Sequence, residues 1–320
     1  MSRILVTGAT GFIGRAVVAA LAADGHDIRA AVRRPPQPAF GSGVEVVQHG
    51  DLAQPVDWRA ALVGVDAVVH LAGIAHIGRG VPPEAYDRVN RRATAELAAA
   101  AAQAGVRRFV FVSSIRAQSG PAADHALTEA DAAAPVDPYG RSKLAAEAAV
   151  RTAGVPFTIL RPVALYGPGM KGNFRLLARA AASPLPLPVK DLGNRRSLLG
   201  IDNFVSALRF VLASPQTEGE TYVVADPGMP PRLSDVFATL RQARGRRPFV
   251  VPMPTHYLEI PLRLIGRGDV WERFGGNLRV DASKLMAAGW QPAHDTRAGL
   301  TAMIQAAAPR KSGTASRSTR

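Results

Sequence analysis

The stretch TGATGFIG, Thr7 to Gly14, follows the apolar run RILV and sets glycines at positions 8, 11 and 14. Glycines so spaced permit a tight turn and let the backbone approach a pyrophosphate. The helix that opens there adds its amides and the positive end of its dipole. A glycine triplet alone is a weak signal. Between a strand and a helix, at the start of an alternating pattern, it predicts a dinucleotide site at Gly8, Gly11, Phe12, Ile13 and Gly14.

Outward from this motif, short apolar runs alternate with helical stretches. RILVTG, DIRAAV, VEVVQ, DAVVHLA, RFVFVSS and PFTILRP read as strands, with helices expected around 13–23, 58–62, 84–104 and 138–152. Short strands apolar on both faces, separated by helices, predict an α/β doubly wound parallel sheet of the Rossmann kind. After Pro168 the chain becomes rich in loops, but IDNFVSALRFVLA reads as a helix and TYVVAD as a late strand returning to the sheet. The expected organisation is a dinucleotide-binding domain over 1–168 and a smaller, mainly substrate-binding domain over 169–308, interleaved with late sheet elements. A disordered basic tail is expected over 309–320.

The 320 residues include no cysteine and carry a formal charge of +14. Disulfides, thiolate metal sites and cysteine nucleophiles are therefore excluded, and no metal site is expected. Part of the charge lies in the tail PRKSGTASRSTR, and the other arginines are scattered. Without interleaved aromatics or a recognition-helix pattern, nucleic acid is not an expected partner. A basic balance equally suits phosphorylated small substrates. The start MSRILVTG enters a strand with no export signal, and no apolar run is long enough to span a membrane. A cytoplasmic location without a membrane partner is expected.

Two further stretches support the dinucleotide site. HGDL puts Asp51 and Leu52 after the third strand, where the carboxylate is placed to accept from an adenine amino group. VVHLAG ends the fourth strand with Leu71, Ala72 and Gly73, small enough at the last two positions for the chain to pass close to a cofactor. Asp51 alone reads equally well as a helix cap; together the features favour a dinucleotide. In sites of this kind an acid about 20 residues beyond the glycines holds the ribose hydroxyls for NAD, whereas an Arg accommodates the 2′-phosphate of NADP. DIRAAVRRPPQ offers Arg33 and Arg34 there, and the nearest acids, Asp24 and Asp27, lie at the opposite end of the strand. A guanidinium matches a phosphate. NADP(H) is the favoured cofactor, with NAD(H) the alternative.

DPYGRSKLAAE carries Tyr139 and Lys143 four apart at the start of a helix, on one face. A free Tyr ionises near pH 10, and a neighbouring ammonium is expected to lower that value toward use as an acid–base. FVFVSSIRAQ supplies a hydroxyl at the end of the fifth strand, with Ser114 chosen over Ser113 to hold the substrate oxygen. Asn90 is placed to order a water or backbone link to the lysine. His70 reads as a buried strand-end residue rather than a catalyst.

With TGATGFIG, GDL, HLAG, RVN, FVFVSSI, DPYGRSK, LRPVALYGPG, NRRSLLGIDN and VDASKLMAAGW in this order, the chain resembles the extended short-chain dehydrogenase/reductases, the NAD(P)-dependent epimerase/dehydratase family. The resemblance spans about 2–307 and is strongest to the UDP-sugar 4-keto reductases and 4-epimerases of surface-polysaccharide biosynthesis. It implies that Ser114, Tyr139 and Lys143 form a catalytic triad that also meets cofactor and substrate. Asn173 and Arg195 would contact a nucleotide-sugar diphosphate, with Arg196 a substitute for Arg195. It also implies a homodimer through helices 84–104 and 138–152. Three features depart from the family pattern: the acid after the second strand is missing, Arg116 stands two residues beyond Ser114, and Ile115 excludes the paired acids of the dehydratases. The leading expectation is therefore an NADPH-dependent reductase of a UDP-4-keto sugar. The alternatives are a UDP-sugar 4-epimerase of the UDP-glucose or UDP-GlcNAc type, a carbonyl reductase (IRAAVRRP resembles the second strand of flavonoid-type reductases), and a non-catalytic dinucleotide sensor or subunit.

Overall fold

The computed structural model describes residues 1–35, 38–75, 80–170, 173–184, 186, 190, 193–252, 257, 260, 264 and 276–307, without the side chains of 173–176. The expected basic tail over 309–320 lies outside them. Strands β1 (Arg3–Thr7), β2 (Asp27–Val32), β3 (Val44–Gln48), β4 (Ala67–His70), β5 (Arg108–Val112), β7 (Phe157–Pro162) and β10 (Thr221–Val224) form one sheet. Its order is β10-β7-β5-β4-β1-β2-β3, and each pairing is parallel. The six strands expected in the first half are present, and TYVVAD returns to the sheet beside β7. Shorter ladders join β6 (Ala126–Leu127) to β11 (Arg279–Val280), and β8 (Ala164–Tyr166) to β9 (Leu198–Gly200).

Period-two alternation divides the sheet's side chains between two apolar layers. Ile4, Val6, Val110 and Val112 face helices α1 (Phe12–Ala23) and α7 (Ile201–Ala213), meeting Val17, Leu21, Phe204 and Leu208. Leu5, Phe109 and Phe111 face α4 (Ala93–Gln103) and α5 (Pro138–Thr152), meeting Leu97, Ala101, Ala146 and Val150. Each fully buried Val, Leu, Ile or Phe among them contributes about 1.5–3 kcal/mol. The charged interruption of β2 has a separate explanation. Buried Arg29 donates to the carbonyls of Ala61 (2.8 Å) and Val63 (3.2 Å), at the end of α2 (Arg59–Leu62), where a cation suits the exposed carbonyls.

A third apolar cluster joins Tyr166, Leu198, Phe237, Leu240, Leu300 and Ile304, drawn from β8, β9, α8 (Leu233–Gln242) and the helix Thr296–Ala307. Asp226 fastens this part to the end of the sheet. Its carboxylate accepts from Tyr166 (2.7 Å), Thr296 (2.9 Å), the Gly200 amide (2.8 Å) and Asn203 (2.7 Å). Strand order reverses between β1 and β4, so a crevice opens at their carboxyl ends.

Candidate active site

Gly8 turns the chain out of β1 with φ +65°, and a Cβ there would lie 2.7 Å from the Ala72 amide nitrogen. A Cβ on Gly14 would sit 2.2 Å from the Gly8 carbonyl oxygen. Both glycines are thus demanded by packing of the turn. Gly11 is exposed and is the N-cap of α1, with no side-chain cap and no acid in the first turn. Helix amides left without an acidic competitor fit the pyrophosphate of a dinucleotide. Phe12 and Ile13 are half-buried beside this opening.

Asp51 is exposed, and one of its oxygens accepts from the Ala53 amide at 3.0 Å; Leu52 packs on the second core layer. Arg33 and Arg34 are exposed at the exit of β2. His49 is held below the usual imidazole range by burial, and the charge of Arg33 lowers it further. Arg15 joins this corner: it donates to the Pro38 carbonyl (3.1 Å) and lies over the Phe40 ring at 5.4 Å. It was not singled out from the sequence. Its position directly after Gly14, on the first turn of α1, is the signal that could have found it.

Ser114 opens a short helical turn, Ile115–Ala117, and its Oγ accepts from the Arg116 amide at 3.2 Å. The Ser114 hydroxyl faces that of Tyr139 closely enough to favour its ionised form as a hydrogen-bond donor. Pro138 and the Asp137 cap, which accepts from the Gly140 amide at 2.6 Å, start α5 just before Tyr139. The helix begins directly against the serine turn, since a Cβ on Gly140 would lie 2.2 Å from the Arg116 carbonyl oxygen. One turn on, buried Lys143 donates to the Val112 carbonyl (2.8 Å) and lies over the Phe111 ring at 4.6 Å.

Burial brings Lys143 down to about 8, with Glu147 acting in the opposite sense. Tyr139 moves the other way from expectation. Desolvation raises it above the usual phenol range, opposed by the Ser114 hydrogen bond. Without ligand, therefore, Tyr139 is a proton donor at neutral pH.

Asn90 lies in a π-helical turn, Asp87–Arg92, an irregularity frequent at functional sites. Its Oδ1 accepts from the Ile74 amide (2.7 Å), and its Nδ2 donates to the Ile74 carbonyl (3.1 Å) and to Ser142 Oγ (3.0 Å). It therefore ties the chain leaving β4 to α5 through Ser142, the neighbour of Lys143, instead of linking to the lysine directly. Gly73 runs between the two, since a Cβ there would be 2.9 Å from Asn90 Oδ1 and 3.7 Å from Lys143 Nζ. Leu71 and Ala72 lead into this passage; Ala72 is buried and its amide donates to Thr7 Oγ1 at 3.2 Å.

His70 is a satisfied core residue. Thr94 donates to the Asn90 carbonyl at 2.6 Å, so His70 Nε2–H donates to Thr94 (2.9 Å) and Nδ1 accepts from Thr7 (2.6 Å). Burial lowers it to about 3, keeping it neutral.

On the substrate side, Asn173 begins helix α6 (Asn173–Ala182), and its side chain lies outside the described residues. Adjacent arginines diverge. Arg195 donates to the Pro230 carbonyl at 2.8 Å and lines a cavity with Asp235, Thr239 and Arg297. Arg196 donates to the carbonyls of Pro121 (3.0 Å) and Gly276 (2.9 Å); burial, with the charge of Arg116 second, brings it down to about 10. Arg116 itself is ion-paired with Asp137, the cap of the helix that carries Tyr139. Arg196 is thus the member of the pair in electrostatic contact with the serine turn.

Over 314 residues the chain is 32% identical to a UDP-glucose 4-epimerase of Vibrio cholerae, covering 95% of this chain and 94% of that protein. It is 36% identical over 206 residues to a ceramide reductase of Caulobacter vibrioides, covering 64% and 59% of the two chains. Among solved structures, MoeE5 in complex with UDP-glucose and NAD superposes with a TM-score of 0.74 at 26% identity, covering 95% of this chain and 97% of that one. The sequence profile described as the NAD dependent epimerase/dehydratase family matches residues 4–225. With that match spanning the glycine turn, the serine turn and the Tyr–Lys helix, the chain belongs to the NAD dependent epimerase/dehydratase family.

Proposed function

We propose that this protein interconverts a carbinol and a ketone at C4 of a UDP-linked hexose, and that its net reaction is 4-epimerisation. The start of α5 packed against the serine turn, which sets Tyr139 facing Ser114 with buried Lys143 one turn away, is the observation that carries the reading. Two hydroxyls meeting at the crevice can both bond one substrate oxygen. A nicotinamide dinucleotide held at Gly8–Gly14 supplies hydride exchange at the adjoining carbon when bound. Tyr139 donates its proton to the ketone oxygen and, as the phenolate left behind, takes it back from the carbinol oxygen. Ser114 holds that oxygen, and the Lys143 ammonium stabilises the phenolate that forms. Arg196, rather than Arg195, is assigned to the diphosphate. A homodimer through α4 and α5 belongs to the same reading. Full-length similarity to a UDP-glucose 4-epimerase supports epimerisation.

A specific observation favours a second reading, reduction of a UDP-4-keto sugar by NADPH. Arg33 and Arg34 stand at the exit of β2, where an NAD site would hold an acid, and Arg15 reaches Pro38 and Phe40 in the segment that follows. Incubation with UDP-glucose or UDP-GlcNAc without added cofactor separates the two. Equilibration of the C4 epimers supports epimerisation. Its absence, with stoichiometric NADPH oxidation on a UDP-4-keto sugar, replaces it by reduction. Arg33→Ala is expected to lower the preference for the 2′-phosphorylated cofactor by about ten- to a hundredfold, the worth of one charge-assisted hydrogen bond. Comparative titration with NADPH and NADH reads this directly, and an unchanged ratio removes Arg33 from the site.

The protonation states set a pH dependence. Lys143 is an ammonium below about 8 and loses its proton above it. The kcat/KM for ketone reduction is expected to be flat at neutral pH and to fall as pH rises through that value. An alkaline limb retained unchanged in Lys143→Met would assign it to another group. His70, neutral down to about 3, contributes no limb near neutrality.

A further inference from the structure

Behind the reacting set lies a closed polar cluster that the chemistry above does not use. Glu147, one turn beyond Lys143 on α5, is 1% exposed, and Arg161 of β7 is 6% exposed. Arg161 donates Nε to Glu147 Oε1 (2.9 Å), Nη2 to Oε2 (2.6 Å) and Nη1 to Gln118 Oε1 (3.1 Å). Ser113 Oγ donates to Glu147 Oε1 at 2.6 Å. Gln118, just past the serine turn, donates to the carbonyls of Thr128 and Asp131.

A buried ion pair is seldom more stabilising than apolar packing of the same volume, because both ions give up water. Stability therefore does not account for this one. Its connections do. Ser113 is the residue before Ser114, Gln118 closes the turn that Ser114 opens, and Glu147 shares a helix face with Tyr139 and Lys143. The cluster joins the two elements whose relative placement brings the Ser114 and Tyr139 hydroxyls together.

We propose that Glu147, clamped by Arg161, is a positioning residue: it locks the serine turn onto the helix of Tyr139 and Lys143, and supplies the negative charge that faces the Lys143 ammonium. This rests on Ser114, Tyr139 and Lys143 being the reacting set. The groups around the ammonium come from several elements. Tyr139 and Glu147 lie on its own helix, the Phe111 ring and Val112 carbonyl on β5, neutral His70 on β4, and Asn90 on the π-helical turn beyond Gly73. Among these described groups, Glu147 is the carboxylate.

The test compares wild type with Glu147→Gln, Glu147→Asp, Ser113→Ala and the double variant Glu147→Met/Arg161→Met. The double variant removes both buried charges and so guards against loss of folding. The pKa of Lys143 is measured without substrate, by pH-dependent competitive amine labelling read by peptide mass spectrometry. Alongside it, kcat and KM are measured against pH. Removing the carboxylate in Glu147→Gln is expected to lower the Lys143 value by about one unit and to move the alkaline limb with it. The double variant, which also removes the Arg161 cation, should lower it in the same direction but by less. Glu147→Asp, which keeps the charge, should stay close to wild type. Ser113→Ala should lower kcat about tenfold with KM little changed and the limb unmoved, the mark of lost alignment. A Lys143 value equal in wild type, Glu147→Gln and the double variant overturns the electrostatic role. A wild-type kcat in Ser113→Ala overturns the positioning role. The labelling also separates this inference from the proposed function: a shifted Lys143 with no Tyr139-dependent turnover of UDP-sugars would sink the function and leave the Glu147–Lys143 assignment standing.

Discussion

Replacing Tyr139 by Phe is expected to lower turnover by about 10²–10⁴-fold, the usual contribution of a positioned general acid–base, while dinucleotide binding changes little. The substitution deletes one hydroxyl and keeps the ring, which lies edge-on to Tyr86 with centroids 6.1 Å apart. The start of α5 is fixed independently by Pro138 and the Asp137 cap, so Lys143 keeps its place. What is lost is the proton donor beside Ser114. Steady-state kinetics and a dinucleotide titration on the same preparation read the two effects separately. A variant with wild-type turnover would remove Tyr139 from the chemistry, and a non-catalytic dinucleotide sensor would be indifferent to the change. Weakened dinucleotide binding together with lost turnover would instead point to a damaged site.

The second large effect concerns stability. Arg161→Met should destabilise the fold by about 3–5 kcal/mol, because it leaves the Glu147 carboxylate buried without its cation. Arg151 approaches the same carboxylate only at 3.6 Å and is 38% exposed, so solvent screens it and it does not substitute. A buried, unpaired carboxyl titrates above its unfolded value. The variant is therefore least impaired at low pH, where the carboxyl is neutral in both states, and loses stability as pH rises through the raised folded value. Urea unfolding at several pH values measures this. The double variant Glu147→Met/Arg161→Met should recover most of the loss, since matched apolar groups need no counter-ion. A single variant as stable as wild type would show that the carboxylate finds water or another partner.

Much of the fold is written in local pattern. The glycine turn after RILV, the run of both-faces-apolar strands and the Tyr–Lys helix each follow from spacing within a dozen residues. In a parallel sheet the strand order is then narrowly constrained by right-handed crossovers. The candidate site was legible to the extent that its parts sit at strand ends and helix starts, as do Gly8, Gly73, Ser114 and Tyr139. The ionisation of Tyr139 was not legible. A neighbouring lysine in sequence suggests a lowered phenol, but desolvation at the folded site outweighs it, and desolvation is a property of everything packed around the group.

By itself, the sequence determined the doubly wound sheet, the glycine turn after its first strand, and a phenol and an ammonium one turn apart on a single helix. Only the tertiary structure decided which of two adjacent like residues turns toward the chemistry. Ser113 goes inward to Glu147 while Ser114 meets Tyr139, and Arg195 reaches Pro230 while Arg196 feels the charge of Arg116. Successive side chains of an extended segment project to opposite sides, so a choice between neighbours is a choice of register. Here the register is set by partners far away in the chain: Glu147 on a helix for the serines, and bridges to Arg232 and Leu278 for the arginines.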